Sequence, residues 1–135
     1  MTRAGSAFLD TNVVVYLLAG DAAKADRAEA LIDQRAVVSV QVLSEFTSVA
    51  RRKSRLAWIE IDEILGTLRA VCRVEPLTLD TYDRARQLAE RYALSWYDAL
   101  IAASALLADC TILYSEDFQH GLVLDRKLKV INPFA

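Results

Sequence analysis

Four short apolar runs along the chain have the length of buried β-strands. They lie at residues 6–9, 36–40, 111–114 and 129–131. Residues 73–77 form a further short segment, which we expect at an edge of the same sheet. A predicted loop at residues 115–121 follows the run at 111–114. The earlier runs are separated by stretches with a different, longer period, so those strands do not follow one another directly.

The intervening stretches carry apolar residues at the three- and four-residue spacing of a helix face. They are residues 22–33, 42–52, 56–71, 79–92 and 97–108. The last is apolar nearly all round, which indicates a core helix. Residues 13–19 predict a shorter helix, capped by Asn12 and ended by Gly20. Helices that alternate with short strands predict an α/β fold with a parallel sheet covered on both faces.

Composition supports one globular domain that spans residues 1–135. Hydrophobic residues make up 54% of the 135 and charged residues 25%, which separates the chain from disordered proteins. No stretch rich in Pro, Gly or Ser divides it. The formal net charge of −2 does not indicate a nucleic-acid-binding protein, so any such function must depend on a local basic patch.

Cysteine and histidine content excludes several classes of site. Cys72 and Cys110 have no ligand spacing, so we expect two buried, reduced thiols rather than zinc or a disulfide framework. His120 is the one histidine, and no nucleophile-elbow, Walker A or dinucleotide-binding motif is present. The N-terminus lacks an apolar leader and residues 99–108 are too few to span a bilayer, so we expect a cytoplasmic protein that does not enter a membrane.

Acidic residues occur where the predicted elements would bring polar side chains to one edge of the sheet. Asp10 and Asp117 each follow a predicted strand, and ligands of open parallel sheets bind outside the carboxyl ends of the strands. Glu45 lies on the same helical stripe as Val49, where an unpaired carboxylate would be costly. Asp98 opens the most apolar helix.

Each acid also has a purely structural interpretation. Asp10 suits a turn or a helix cap, and Glu45 could pair with an arginine at the rim of its helix. Asp98 follows Ser95 at the spacing of a capping box. Asp117 could belong to a solvated acidic loop.

Glu116 competes with Asp117 for the same position after the strand, and the alternation of side chains favours only one of them in a site. The sequence leaves this choice open.

The convergence of four acids on one edge of the sheet favours a functional site, because clustered carboxylates repel one another unless a divalent cation neutralises them. Oxygen ligands without cysteine or histidine favour Mg²⁺ or Mn²⁺ over zinc.

The clearest basic cluster comes shortly after Glu45 and contains Arg51, Arg52, Lys53 and Arg55. Cations beside an acidic metal site would attract a phosphate backbone, so these residues are candidates for RNA binding. The alternative is a solvated helix end whose cations complement the helix dipole.

Several of these residues together resemble the PIN-domain family, in the family's order and over essentially the whole chain. The resemblance rests on four blocks: Leu9-Asp10-Thr11-Asn12, Ser44-Glu45, residues 97–105 beginning Tyr97-Asp98-Ala99, and Leu113-Tyr114-Ser115-Glu116-Asp117-Phe118. The last two blocks together are specific, whereas the first alone is weak. The chain is most similar to the toxin half of VapBC-type toxin–antitoxin pairs.

The resemblance implies a three-layer α/β/α sandwich with a central parallel sheet, and endoribonuclease activity that depends on Mg²⁺ or Mn²⁺. It places the family's catalytic, metal-binding acids on Asp10, Glu45, Asp98 and Asp117. It gives Ser115 a supporting role through hydrogen bonds, and Asn12 a role in orienting the site. Glu116 remains the alternative fourth acid.

The resemblance further implies an RNA substrate, a homodimer and a cognate antitoxin that lays a segment across the site. Two other functions stay open on the residues themselves. A phosphatase with an aspartyl nucleophile at Asp10 would want a second aspartate two positions on, where this chain has Asn12. A non-catalytic module would use the acidic pocket only to receive a basic peptide. A receiver-type domain fits less well, because Lys129 is poorly placed.

Overall fold

The computed structural model describes residues 6–135, in which one sheet runs through the molecule. Its strands are β1 Ala7–Leu9, β2 Val37–Ser39, β3 Arg73–Glu75, β4 Ile112–Tyr114, β5 Val123–Leu124 and β6 Leu128–Ile131. Their order is β3-β2-β1-β4-β6-β5. Neighbouring strands are parallel except β5, which pairs antiparallel with β6.

Helices flank this sheet and occupy nearly all of the connections between its parallel strands. They are α1 Thr11–Val14, α2 Ala22–Asp33, α3 Val40–Arg52, α4 Trp58–Val71, α5 Leu79–Tyr92 and α6 Trp96–Leu107. The predicted α/β architecture with a central, mostly parallel sheet is therefore confirmed. Within residues 6–135, no helix combines the length and the apolar character needed to cross a membrane.

The core forms where α6 meets the central strands. Phe8 and Leu9 of β1 are fully buried, and α6 buries an alanine-rich series of side chains against the rest of the core. Small side chains let a helix approach its neighbours closely, and α5 is the neighbour with which α6 makes its most extensive contact. The core position predicted for this helix from its apolar composition is correct.

Both cysteines behave as the sequence predicts. Cys72 and Cys110 are buried free thiols. Burial raises the pKa of Cys72 to about 11 and that of Cys110 to about 12. Both side chains are therefore protonated, unreactive core residues at neutral pH.

The first helix begins two residues earlier than the spacing predicts, and its cap is different. Asp10, not Asn12, is the N-cap: its backbone is extended and its carboxylate accepts a hydrogen bond from the Thr11 N–H. The α-helical part ends at Val14 and continues as a 3-10 turn over Val15–Leu18, in keeping with the low helix propensity of consecutive valines. Asn12 lies inside the helix, which frees its side chain for other contacts.

The β5–β6 hairpin was not predicted: Leu122, Val123 and Leu124 are apolar, but a strand of two residues is too short to show the alternation of a strand. Its turn places Asp125 and Arg126 at positive φ, 49° and 60°, and so is a tight, left-handed turn. Asp125 accepts hydrogen bonds from Arg84, Arg91 and Tyr92, all on α5. The hairpin is held in place by side chains that are distant in sequence.

The topology reverses between the two central strands. From β1 the chain proceeds to β2 and β3 on one side, whereas β4, β6 and β5 lie on the other. Leu9 of β1 and Tyr114 of β4 are register partners, so the residues that follow them lie side by side. In open α/β sheets this crevice at the carboxyl ends of the strands is where ligands bind.

Candidate active site

Three carboxylates meet at this crevice. Asp10, Asp98 and Asp117 each offer an oxygen atom, and these atoms all lie within 4.8 Å of one another. Asp10 is only 4% exposed, Asp98 is half-buried and Asp117 is exposed. The group is therefore open to solvent on one side and anchored in the core on the other.

Each of the three comes from a different element. Asp10 directly follows β1, and Asp117 lies three residues beyond the end of the neighbouring β4. Asp98 lies in the first turn of α6, where its backbone N–H donates to the hydroxyl of the N-cap Ser95 at 3.4 Å. The serine cap suggested by the sequence is therefore present, and the Asp98 carboxylate nevertheless lies in the acid group.

Short hydrogen bonds hold the buried Asp10 carboxylate in one orientation. Its Oδ1 accepts from the Thr11 N–H at 2.7 Å, and its Oδ2 accepts from the Ser115 hydroxyl at 2.8 Å. The Asn12 side-chain amide approaches Oδ2 at 3.4 Å. These donors favour a carboxylate whose position does not change when a ligand binds.

Ser115 and Asn12 also tie the loop after β4 to Asp10. The Asn12 amide donates to the Ser115 Oγ at 3.2 Å, and its Oδ1 accepts from the Glu116 N–H at 3.2 Å. Ser115 Oγ accepts in turn from the Asp117 N–H at 3.0 Å. The loop that presents Asp117 is fixed by the same network that orients Asp10.

Glu45 lies in the same cleft but outside the close group. The cleft has a volume of about 260 Å³, and all four predicted acids line it together with Gln41, Tyr97 and other residues. Glu45 is half-buried on α3, and its Oε1 accepts a hydrogen bond from the Thr11 hydroxyl at 2.6 Å. The structure thus brings three of the predicted acids into mutual contact range and places the fourth on the wall of the cleft.

Glu116 is engaged elsewhere. The Tyr16 hydroxyl donates to Glu116 Oε1 at 2.8 Å, and Lys24 Nζ lies 3.9 Å from Oε2. The adjacent Asp117 carboxylate is the one in the acid group. The geometry therefore favours Asp117 over Glu116 as the fourth acid, a choice that the sequence left open.

The group stores unfavourable electrostatic energy. The pKa of Asp10 is raised from 3.8 to about 7: burial is the largest cause and the charges of Asp117 and Asp98 add to it, whereas the hydrogen bonds from Ser115 and Thr11 lower it. The pKa of Asp98 is also raised, mainly by burial and also by the charge of Asp117, against the opposing effect of Ser95. A bound cation would relieve both effects.

The donor set fits a small divalent cation. The close group is made of carboxylate oxygens, and the other polar side chains that line the cleft are oxygen or amide groups. Hard oxygen ligands of this kind suit Mg²⁺ or Mn²⁺, whereas zinc prefers sites that include nitrogen or sulfur. Asp10, Asp98 and Asp117, with Glu45 nearby, are the residues that would hold such an ion.

We expect Asp117→Asn to lower the affinity for Mn²⁺ about tenfold or more, because the substitution removes one charge from the close group. Glu116→Gln should change that affinity less than about twofold, since Tyr16 and Lys24 hold Glu116 away from the group. Titration calorimetry of the two variants provides the comparison. Equal losses for both would show that the neighbouring residues share the role.

The basic cluster divides into residues with different surroundings. Arg51 packs its guanidinium carbon 4.6 Å from the Trp58 ring centroid and donates to the Leu56 carbonyl at 3.0 Å. Arg52 is exposed and follows Glu45 by seven residues on α3, so it lies on the same helix face about 10 Å further along the axis. Lys53 and Arg55 are exposed beyond the last turn.

Two residues of the cleft were missed from the sequence. Thr11 binds Glu45 through its hydroxyl, and Gln41 donates from Nε2 to the Tyr97 carbonyl at 3.1 Å. Gln41 precedes Glu45 by four positions, and that spacing places both on one face of α3. The spacing was a usable signal, but a single polar residue at the start of a helix is too common to indicate a site.

Comparison with known proteins adds a family and a set of similar folds. A sequence profile described as PIN domain matches residues 7–122. Curated protein sequences give no significant match. The matched residues cover most of the chain and include all four predicted acids.

Three solved structures illustrate the similarity in fold. A toxin–antitoxin complex from Klebsiella pneumoniae aligns with a TM-score of 0.71 at 19% identity, over 95% of this chain and 98% of that one. VapC20 of Mycobacterium tuberculosis, described as a sarcin–ricin loop cleaving toxin, aligns with a TM-score of 0.67 at 24% identity, over 89% of this chain and 98% of that one. DNA-bound VapBC from Salmonella typhimurium aligns with a TM-score of 0.69 at 15% identity, over 93% of this chain and 96% of that one. At these identities the alignments establish the fold.

Proposed function

Because the chain belongs to the PIN-domain family, we propose that it is an endoribonuclease that depends on Mg²⁺ or Mn²⁺. The family predicted from the sequence is thereby confirmed, whereas the reaction is our inference. The observation that carries it is the close group formed by Asp10, Asp98 and Asp117 at the carboxyl end of the sheet. We further propose that residues 1–135 act as one nuclease domain.

The proposed reaction adds water across a P–O bond of RNA: the water oxygen bonds to phosphorus, and the departing ribose oxygen takes up a proton. A divalent cation, when bound, lowers the pKa of water and neutralises charge that builds on the phosphate. Asp10, Asp98 and Asp117 would hold the cation. Ser115 and Asn12 keep Asp10 and the loop in place, so the ligands need little rearrangement.

Glu45 would complete the site from the wall of the cleft. Its bond from the Thr11 hydroxyl fixes one carboxylate oxygen, and Thr11 is also the residue whose N–H binds Asp10. A shift of α3 that moved Glu45 would therefore also disturb Asp10, through Thr11. This coupling supports a role for Glu45 in the same site, although it stands outside the close group.

We propose that Arg52, Lys53 and Arg55 contact the RNA backbone. All three are exposed, and Arg52 shares a helix face with Glu45. Because the net charge of the chain is −2, attraction of RNA must come from such a local patch. Arg51 is also exposed, and its packing on Trp58 would let the pair present a flat surface to a base.

We propose that the protein is the toxin of a VapBC-type pair and works in the cytoplasm with a cognate antitoxin. Toxin–antitoxin complexes are among the structures that its fold resembles. An acidic cleft is complementary to a basic side chain supplied by such a partner. Exposed apolar side chains, including Ile59 at 68% and Leu79 at 82%, offer surfaces for the antitoxin or for a homodimer.

The proposal is tested by incubating the protein with total cellular RNA in Mg²⁺, in Mn²⁺ and in EDTA. We expect discrete fragments that require the metal ion and that are absent in EDTA. An aryl phosphate tested in parallel addresses the phosphatase alternative, which predicts turnover of this small substrate. Binding of a basic peptide together with intact RNA under all conditions would support the non-catalytic module and overturn the nuclease.

A further inference from the structure

A buried amide shares the cleft with the acids. Gln41 lies in the first turn of α3, is only 6% exposed and lines the same cleft as Asp10, Glu45 and Asp98. Glutamine is seldom buried to this degree unless both ends of its amide are satisfied. Its hydrogen bonds therefore indicate what the cleft is built to hold.

The orientation of this amide follows from its one protein contact. The Gln41 side chain bonds the Tyr97 carbonyl at 3.1 Å, and a carbonyl can only accept, so the amide nitrogen must face it. The amide oxygen, Oε1, then lies on the other side. It is buried and has no hydrogen-bond partner within residues 6–135.

The cleft offers this oxygen no donor of its own among the acids. The titratable side chains that line the cleft with Gln41 are Asp10, Glu45, Asp98, Asp117 and Tyr97. The ionised carboxylates only accept hydrogen bonds, and burying an unpaired acceptor beside them is unfavourable. A partner that satisfies this oxygen must therefore be a cation or carry an O–H or N–H donor.

We propose that Gln41 is a positioning residue of the cation site. Its Oε1 provides a neutral oxygen to the divalent cation, either directly or by accepting a hydrogen bond from a water molecule of the ion's hydration shell. An amide adds an oxygen without adding to the repulsion among four carboxylates, and such oxygens are usual around Mg²⁺, Mn²⁺ and Ca²⁺. The inference deepens the proposed function and rests on it.

Binding of Mn²⁺ alone, without RNA, tests the proposal. We expect Gln41→Met to weaken Mn²⁺ binding about tenfold, because the variant keeps the side-chain volume and loses the oxygen. Gln41→Glu should bind at least as tightly as the wild type, because it retains an oxygen at this position. Gln87→Met, an exposed residue on α5, is the matched control and should bind like the wild type.

The two Gln41 variants separate the proposal from a purely structural role. Neither Met nor ionised Glu can donate to the Tyr97 carbonyl, so a residue that only anchors Tyr97 would lower Mn²⁺ affinity in both variants. That result would overturn the inference, as would wild-type affinity in Gln41→Met. Wild-type protein that bound no Mn²⁺ would instead overturn the proposed function itself.

A measurement on the unmodified protein covers the case in which Gln41→Met does not fold. Addition of Mg²⁺ should shift the side-chain Cδ resonance of Gln41 in carbon-detected NMR, because its oxygen gains a cation or an O–H partner. The Cδ resonance of Gln87 should stay unchanged. Binding of Mg²⁺ without any shift at Gln41 would overturn the inference.

Discussion

Asp98→Asn is expected to reduce metal-dependent RNA cleavage by at least about 100-fold, which is the scale of losing one preorganised charged group in an active site. The substitution removes one of three charges whose oxygens lie within 4.8 Å of one another. Helix α6 should persist, because its cap uses the Ser95 hydroxyl and the backbone N–H of residue 98, which asparagine retains. Circular dichroism and initial rates at high Mn²⁺ check both parts.

Asp80→Asn is the matched control for this prediction. Asp80 also lies in the first turn of a capped helix, α5, but it is exposed and does not line the cleft. Its substitution should leave the cleavage rate within about twofold of wild type, as for most exposed positions. A folded Asp98→Asn protein that cleaved as fast as Asp80→Asn would remove Asp98 from the active site.

Asp10→Asn is expected to stabilise the metal-free protein at pH 8 while it abolishes cleavage. The pKa of Asp10 is raised from 3.8 to about 7, mainly by burial. Between about pH 4 and 7 the folded state therefore holds a proton that the unfolded chain has released. The contribution of Asp10 to stability is therefore fully present below about pH 4, is lost between about pH 4 and 7, and stays constant above. The shift corresponds to an upper limit of about 4 kcal/mol.

The measurement is the free energy of unfolding in urea with EDTA present, at pH 4 and at pH 8. We expect Asp10→Asn to exceed the wild type by about 2–3 kcal/mol at pH 8 and by little at pH 4, because the asparagine carries no charge to bury. Addition of Mg²⁺ at pH 8 should stabilise the wild type much more than the variant. Asp62→Asn, an exposed position on α4, is the control.

An equal difference between Asp10→Asn and wild type at both pH values would contradict the electrostatic explanation. It would mean that hydrogen bonding or packing, not burial of the charge, determines how Asp10 affects the free energy of unfolding. Opposite changes in stability and activity are the expected mark of a residue whose burial is maintained for function. The comparison therefore also bears on why Asp10 is placed at the buried end of β1.

Much of the fold was predictable because local spacing determines which hydrogen-bond pattern the backbone can satisfy. The three- and four-residue period of α2, α3 and α5 places their apolar side chains on one face, and that face must be buried. The alanine-rich composition of α6 similarly predicts a core helix. What was missed, the two-residue strand β5, depends on long-range bonds between Asp125 and α5.

The location of the candidate site was also predictable. Asp10 and Asp117 follow strands, and the carboxyl ends of parallel strands converge, so their approach follows from topology alone. Glu45 was a candidate because its carboxylate lies on the apolar stripe of a helix, and Asp98 because it opens the most apolar helix. The resemblance to a family assigned all four acids to one site. Spacing could not establish that three of the four form a close group, because that depends on how α3 and α6 pack against the sheet.

The sequence by itself determined the period of each element, the buried faces and the set of acids that topology could bring together. Only the tertiary structure placed Asp117 rather than Glu116 in the close group of acids, assigned Asp10 rather than Asn12 as the cap, and revealed the unpartnered oxygen of Gln41. The physical reason is the distance along the chain between the residues that interact. Backbone periodicity is set by neighbours within a few positions, whereas these choices depend on contacts such as Tyr16 with Glu116, 100 residues apart.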